Sequence, residues 1–286
     1  MAAPEADIFA DVGLKAGSKR TLIMPEFNFR SPRLYVDADL SMGANVALDR
    51  DQANYLGNVL RLAVGDTVLA FNGRDGEWRA AIAGRKRPDR LEVVAHARIQ
   101  DRLPDLTYSF APLKHARLDY MVQKAVEMGA AALQPVLTRH TQVSRVNTER
   151  MRANVIEAAE QCGILSLARV EEPLVLDRWL GQRAGQRVLI FCDEAAETAD
   201  PVAALAAASQ TGPAGIDVLI GPEGGFAEDE RAALLKQQRT VRLSLGPRIL
   251  RADTAAVAAL ALVQAALGDW ATGEPRAIGP ASLAGH

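Results

Sequence analysis

A parallel α/β domain preceded by a small β-barrel domain is the architecture this sequence predicts, on three observations. From residue 104 onward, strand-like apolar runs alternate with helical periodicity, the signature of a parallel sheet. Between residues 33 and 102, short β-branched or aromatic runs are separated by turn residues. Near the C-terminal end, IDVLIGPEGGF (Ile216–Phe226) and VRLSLGPRILRADTAA (Val241–Ala256) each pass from an apolar run into Gly-Pro. That is how a buried parallel strand entering a tight loop reads.

Composition narrows the class. The chain has 286 residues, 49% hydrophobic and 24% charged, long enough for one large or two modest domains. Aromatics are only 5%, so Ala, Val, Leu and Ile must build the core. The formal net charge of −2 gives no global attraction to nucleic acid, but its distribution is uneven. Residues 112–152 hold seven Lys/Arg against three acids, and residues 153–238 hold six against fourteen. A near-neutral protein can thus present a basic face to RNA. Cys162 and Cys192, the only cysteines, make neither a disulfide framework nor a metal site. No metal, no membrane and a reducing cytoplasm are expected. The longest apolar stretch, 255–267, is short of a span, and no secretory signal opens the chain.

In order, residues 1–29 show no period and read as a loose N-terminal extension, with Met24 an alternative start. LYV, TVLAF, EWRAAIAG and LEVVAHARI supply the strands of the barrel domain, 30–103. The spacing of Leu56, Val59 and Leu60 predicts one short helix among them. LTYSF opens the second domain, 104–272. His115–Gly129 reads as a helix with Leu118, Met121, Val122, Ala125 and Met128 on one stripe. Arg117 and Lys124 lie on one azimuth away from it and predict a basic ridge. Ala132–Thr138 is a strand. Asn147 is placed to cap the next helix, where Cys162 reads as a small buried hydrophobe. RVLIFCDE is a strand, Pro201–Ala208 a helix, and 227–238 a helix between the two motif strands. The last helix, after Asp253, is apolar nearly all round and should be buried on most sides. Residues 273–286 form a tail.

The first motif loop lacks Lys and Gly-Lys-Ser/Thr and places a carboxylate, Glu223, at its centre, which argues against a phosphate cradle. A ligand with ribose hydroxyls or a positive charge suits it better, and S-adenosylmethionine has both. Alone, a Gly-rich turn of this kind is more often plain structure than a site. Together, IGPEGGF and LGPRILRADTA resemble the C-terminal signature of the RsmE family, and the resemblance runs from about Pro32 to Trp270. YLGNVLRLAVGD and HARLDYMVQKAVEMGA resemble its other segments. The family comprises SPOUT-class enzymes that methylate N3 of a uridine in 16S ribosomal RNA.

The resemblance implies a SPOUT-type knotted α/β domain behind a PUA-like β-barrel, S-adenosylmethionine as cofactor, the small ribosomal subunit as partner, and a homodimer. Gly221, Glu223, Gly224, Leu245, Gly246, Ile249, Leu250 and Thr254 are the candidates for holding the cofactor. Arg248 and Arg251 are candidates to stabilise a uridine anion, at least one of them expected to tie the loop down through a carboxylate. Asp253 is a base or, more simply, the cap of the last helix. Arg33, Arg61, Lys114, Arg117, Lys124 and Arg139 are candidate RNA contacts, with the Arg85-Lys86-Arg87 cluster either another or a plain hairpin tip. Relatives usually carry Arg at Ile164 and Glu at Asp253. Other readings are a SPOUT enzyme with another RNA or a ribose hydroxyl as acceptor, and a catalytically silent RNA-binding protein.

Overall fold

The structure, a computed structural model, describes residues 31–143, 145–196, 200–210, 212 and 214–272. The N-terminal extension and the C-terminal tail lie outside the described residues.

The first lobe is a five-stranded sheet in the order β1 (Arg33–Tyr35), β3 (Thr67–Phe71), β4 (Glu77–Ala83), β5 (Arg90–Arg98), β2 (Asn45–Ala47). β1 pairs parallel with β3 and the other pairs are antiparallel. The order is an open path from β1 to β2, so the expected barrel is a curled sheet. The short helix between β2 and β3 is α1 (Arg50–Asn54), closed at its start by a reciprocal Asp49–Gln52 capping box. It widens into a π turn at Tyr55–Val59, which turns Leu56 into the lobe's core with Val68, Ile82 and Leu91.

The second lobe is a seven-stranded, all-parallel arrangement. Its path is β12 (Thr240–Leu243), β10 (Val188–Cys192), β11 (Ile216–Ile220), β6 (Leu106–Phe110), β7 (Ala132–Leu137), β8 (Arg169–Val170), with β9 (Leu174–Val175) beside β7. Strand alternation sends Val188, Ile190, Val218 and Ile220 to one face, under helices α2 (His115–Glu127), α3 (Thr148–Cys162), α5 (Pro201–Ser209) and α7 (Ala252–Leu267). Leu189, Phe191 and Leu219 face the other side, under α4 (Leu176–Gln182) and α6 (Glu228–Leu235). Asn147 caps α3 through Arg150 N, and Gly163 ends it in the left-handed conformation. Burial pushes the Cys192 thiol up to about 12, leaving it inert. Among the described residues, no helix is long and apolar enough to cross a membrane.

A seam of polar bonds joins the lobes. Glu77, almost fully buried, accepts from Arg33 Nε at 3.0 Å and from Arg98 Nε at 2.7 Å, while Arg98 Nη2 reaches Gly163 O at the end of α3 at 3.0 Å. Asp101 receives the N–H groups of Leu165 and Ser166. Phe71, Ala159 and Leu165 form an apolar centre, and Ile164 packs against it. Ile164 therefore fills the seam by packing.

Glu160 accepts from Tyr35 N at 2.8 Å across the same seam. Burial pushes its carboxyl above the ordinary range, with Glu157 adding to the shift and the Tyr35 N–H opposing it. A carboxyl raised in the folded state costs stability once pH passes its folded value, and costs nothing well below its unfolded value. Glu160→Gln keeps the oxygen acceptor and removes the charge. It is expected to raise Tm by about 2 °C at pH 8, with the gain vanishing below about pH 4, as read by thermal melts across pH.

Candidate active site

Both motif loops leave the C-terminal edge of the parallel sheet, from the two strands that flank β10. Ligands of open α/β sheets bind at this edge. The first loop follows Ile220. A Cβ on Gly221 would lie 2.4 Å from the Phe226 ring, so only glycine lets that ring fold back under the strand end. Phe226 in turn meets Phe191 edge-on at 5.3 Å, which anchors the loop to the core. Gly225 supplies the one positive φ, +69°. His140, just past β7, bonds through Nδ1 to the carbonyls of Gly224 (3.2 Å) and Gly225 (3.0 Å). Because both partners are acceptors, Nδ1 carries the proton.

The second loop follows Leu243. Leu245 packs back against the main core, and Leu250 is half-buried. Gly246 is exposed, with φ +99° and open space around its Cβ direction. Ile249 is 92% exposed, an apolar side chain with nothing over it. The loop thus offers free backbone and an uncovered apolar surface, a donor set that fits a nucleoside.

The guanidinium that ties these loops is Arg117, from the first turn of α2. Its Nε donates to Asp253 Oδ2 at 3.1 Å, and its Nη1 to Glu223 Oε1. Its Nη2 is buried without a hydrogen-bond partner. The Asp253 bond, then the Glu223 bond, hold the Arg117 charge more firmly than usual. Burial pushes the Asp253 carboxyl up, but Arg117 and the Thr254 N–H outweigh it and leave it below the ordinary carboxylate range.

Two expectations about the second loop need correction. Neither Arg248 nor Arg251 ties the loop through a carboxylate; among the described residues both are exposed and make no ion pair. Asp253 is not the cap of α7: Arg251 holds that position, and Asp253 stands inside the first turn, bonded to Thr254 N at 2.8 Å. Thr254 is exposed beside it and donates weakly to the same carboxylate at 3.4 Å.

The basic ridge does not form either. Arg117 faces Glu223 and Asp253, Lys124 Nζ is 2.7 Å from Glu127, and Arg139 Nη2 is 2.6 Å from Asp229. Arg33 is 7% exposed and locked to Glu77, so it has no access to RNA. Arg61, Lys114 and the Arg85–Arg87 turn are exposed. A Cβ on Gly57 in the π turn would lie 3.5 Å from the Pro88 ring, so the segments carrying Arg61 and Arg85–Arg87 run side by side.

Sequence reasoning missed Asp193. It sits at the end of β10 and receives Arg231 of α6 at 2.8 Å and Arg242 of β12 at 3.0 Å. Burial pushes its carboxyl up, but the two guanidiniums and Ala195 N–H hold it below the usual range. It braces the helix after the first loop and the strand before the second. The signal was a charged Cys-Asp-Glu ending on an otherwise apolar strand. Among the described residues, no group of His, Cys, Asp and Glu could hold a metal ion.

A family profile described as RNA methyltransferase domain matches residues 101–264, and one described as RNA methyltransferase PUA domain matches residues 48–94. The ribosomal RNA small subunit methyltransferase E of Rickettsia conorii is 31% identical over 81% of this chain and 94% of its own. That of Synechocystis is 34% identical over 82% of this chain and 78% of its own. The crystal structure of the Neisseria gonorrhoeae protein of the same name, bound to S-adenosylmethionine, is similar at TM-score 0.72 and 26% identity, covering 84% of this chain and 99% of that one. A Legionella pneumophila methyltransferase in complex with the same cofactor gives TM-score 0.71 at 28% identity, with coverage of 84% and 99%. With the paired glycine loops at the strand ends and relatives matching across both lobes, the chain belongs to the ribosomal RNA small subunit methyltransferase E family.

Proposed function

We propose that this protein methylates N3 of one uridine in 16S ribosomal RNA of the small subunit, using S-adenosylmethionine, and that it does so as a cytoplasmic homodimer. The observation that carries the reading is the pairing of two loops with open backbone, on strands flanking β10, joined by one guanidinium. When bound, S-adenosylmethionine supplies an activated methyl group with a neutral thioether as leaving group. Backbone and apolar groups of Gly221, Gly224, Gly246, Ile249 and Leu250 would hold its nucleoside, with Leu245 and Thr254 supporting the second loop. The two loops are also the segments that would cross in a knot.

The chain's own chemistry concerns the acceptor. Uridine N3 is a poor nucleophile until its proton leaves, and the resulting charge spreads to the flanking carbonyl oxygens. Arg248 and Arg251, exposed and without an ion pair among the described residues, are suited to stabilise that charge and lower the N3 pKa. Asp253, held low and engaged with Arg117, is a weak proton acceptor and serves the loop geometry. Arg61, Lys114 and Arg85–Arg87 supply exposed cations for RNA phosphates. Val257, Ala258, Ala261 and Leu262 of α7 are half-buried apolar positions, which supports a second copy packing there.

The test is methyl transfer from labelled S-adenosylmethionine to small subunits from a strain lacking the gene, with the product mapped by mass spectrometry. Label at N3 of one uridine is expected. Arg248→Ala and Arg251→Ala should lower kcat by about 100-fold, with cofactor affinity unchanged. Label on a ribose, or on no base of this subunit, overturns the proposal.

A further inference from the structure

We propose that Arg117 is a positioning residue that sets the spacing of the two cofactor loops, acting through Glu223 and Asp253. The proposal rests on the methyltransferase reading and deepens it. Arg117 reaches across 106 residues to the first loop and 136 residues to the start of α7, directly after the second. Among the described residues, it is the side chain that hydrogen-bonds to side chains on both sides. Its own position is fixed, because α2 is packed into the core through Met121, Val122 and Ala125. The far end of α2 is tied to α7 by Gln264 Nε2 donating to Met128 O at 2.6 Å. The two helices therefore form one frame, and Arg117 transmits that frame to the glycine loops.

The chemistry favours arginine for this task. A planar fork can serve two carboxylates in different directions at once, whereas an ammonium is a point charge. With one guanidinium between two carboxylates, the cluster keeps a net negative charge next to the loops. Two of the Arg117 N–H groups, on Nε and Nη1, are directed at Asp253 and Glu223, and Nη2 is buried, so the fork is turned toward its carboxylates. It therefore acts through its partners.

The test is a double-mutant cycle on the full chain, read by calorimetric S-adenosylmethionine binding and by hydrogen exchange of residues 221–226 and 244–251. Arg117→Gln is expected to weaken cofactor affinity about tenfold, the scale of a charge-assisted bond in a partly exposed site. Exchange in both loops should quicken, with the circular dichroism spectrum unchanged. In a Glu223→Gln, Asp253→Asn background, the same change should cost less than about twofold, because its partners are already gone. Arg117→Lys should recover only part of the loss.

A tenfold loss that persists in that background overturns the proposal and makes Arg117 a direct ligand contact. So does unchanged affinity and exchange with weakened RNA binding, which makes it a phosphate contact. If the unmodified protein binds no S-adenosylmethionine, the methyltransferase reading fails by itself. The exchange difference between wild type and Arg117→Gln then still decides whether the latch exists.

Discussion

Replacing Glu77 with alanine will destabilise the protein by about 3–5 kcal/mol and lower its apparent Tm by about 10 °C. The reason is the loss of a buried carboxylate shared by two guanidiniums. Arg33 and Glu77 are both almost fully out of water, and Arg98 closes the cluster from a less buried position. With Glu77 gone, Arg33 Nε and Arg98 Nε both lose the buried carboxylate they donate to. Arg98 also loses the partner that aims it at Gly163 O, so the end of α3 loosens from the first lobe. Glu77→Gln keeps one acceptor oxygen and should fall between wild type and alanine. Urea unfolding of the three proteins measures this, and a Glu77→Ala change below about 1 kcal/mol would show that water reaches the pair.

Gly221→Ala will lower S-adenosylmethionine affinity by more than about 100-fold and take methyl transfer to background, on the scale of misplaced active-site geometry. The added methyl would stand 2.4 Å from a ring carbon of Phe226, which is itself packed against Phe191. Either the ring leaves its site or the loop lifts from the strand end, and overpacking of this kind costs about 1–3 kcal/mol in stability. The obstacle can be removed independently. In a Phe226→Ala background, Gly221→Ala should add little further loss of stability, which thermal melts will read. Equal damage with and without the ring would refute the steric explanation.

The sequence and the fold agree most where periodicity is strong. The runs at Thr67–Phe71, Ile216–Ile220 and His115–Glu127 are long enough to show their period, and the structure forms each as expected. β2, β8 and β9 have two or three residues and cannot show a period of two. α4, with seven residues, barely completes two turns. The site divides in the same way. Glycines mark a loop from within the loop, so both motifs were visible. The partners of a charged residue were not visible, because they lie far along the chain. Arg117 pointed away from its apolar stripe, and that geometry alone reads as a solvated ridge. Only the fold brings Glu223 and Asp253 opposite it. Arg33 and Asp217 are comparable: each is a charge inside a strand pattern, and each is buried against a partner, Asp217 with Arg183 at 2.7 Å and Arg187 at 2.8 Å.

The placing of β11 between β6 and β10 bears on how the chain emerges from the ribosome. β6 and β10 are both synthesised before it, and each keeps an unpaired edge facing the slot that β11 will fill. β12 is made later still and closes the outer side of β10. A nascent chain that stops short of Ile216 thus carries two apolar strands with open hydrogen-bonding edges, the form most prone to pairing with a neighbour. The glycine loops are the last part of the sheet to be connected, so the binding edge exists only once nearly the whole second lobe has been made. Translation pauses late in this gene would lengthen the interval in which the chain is sticky and still unable to bind a ligand.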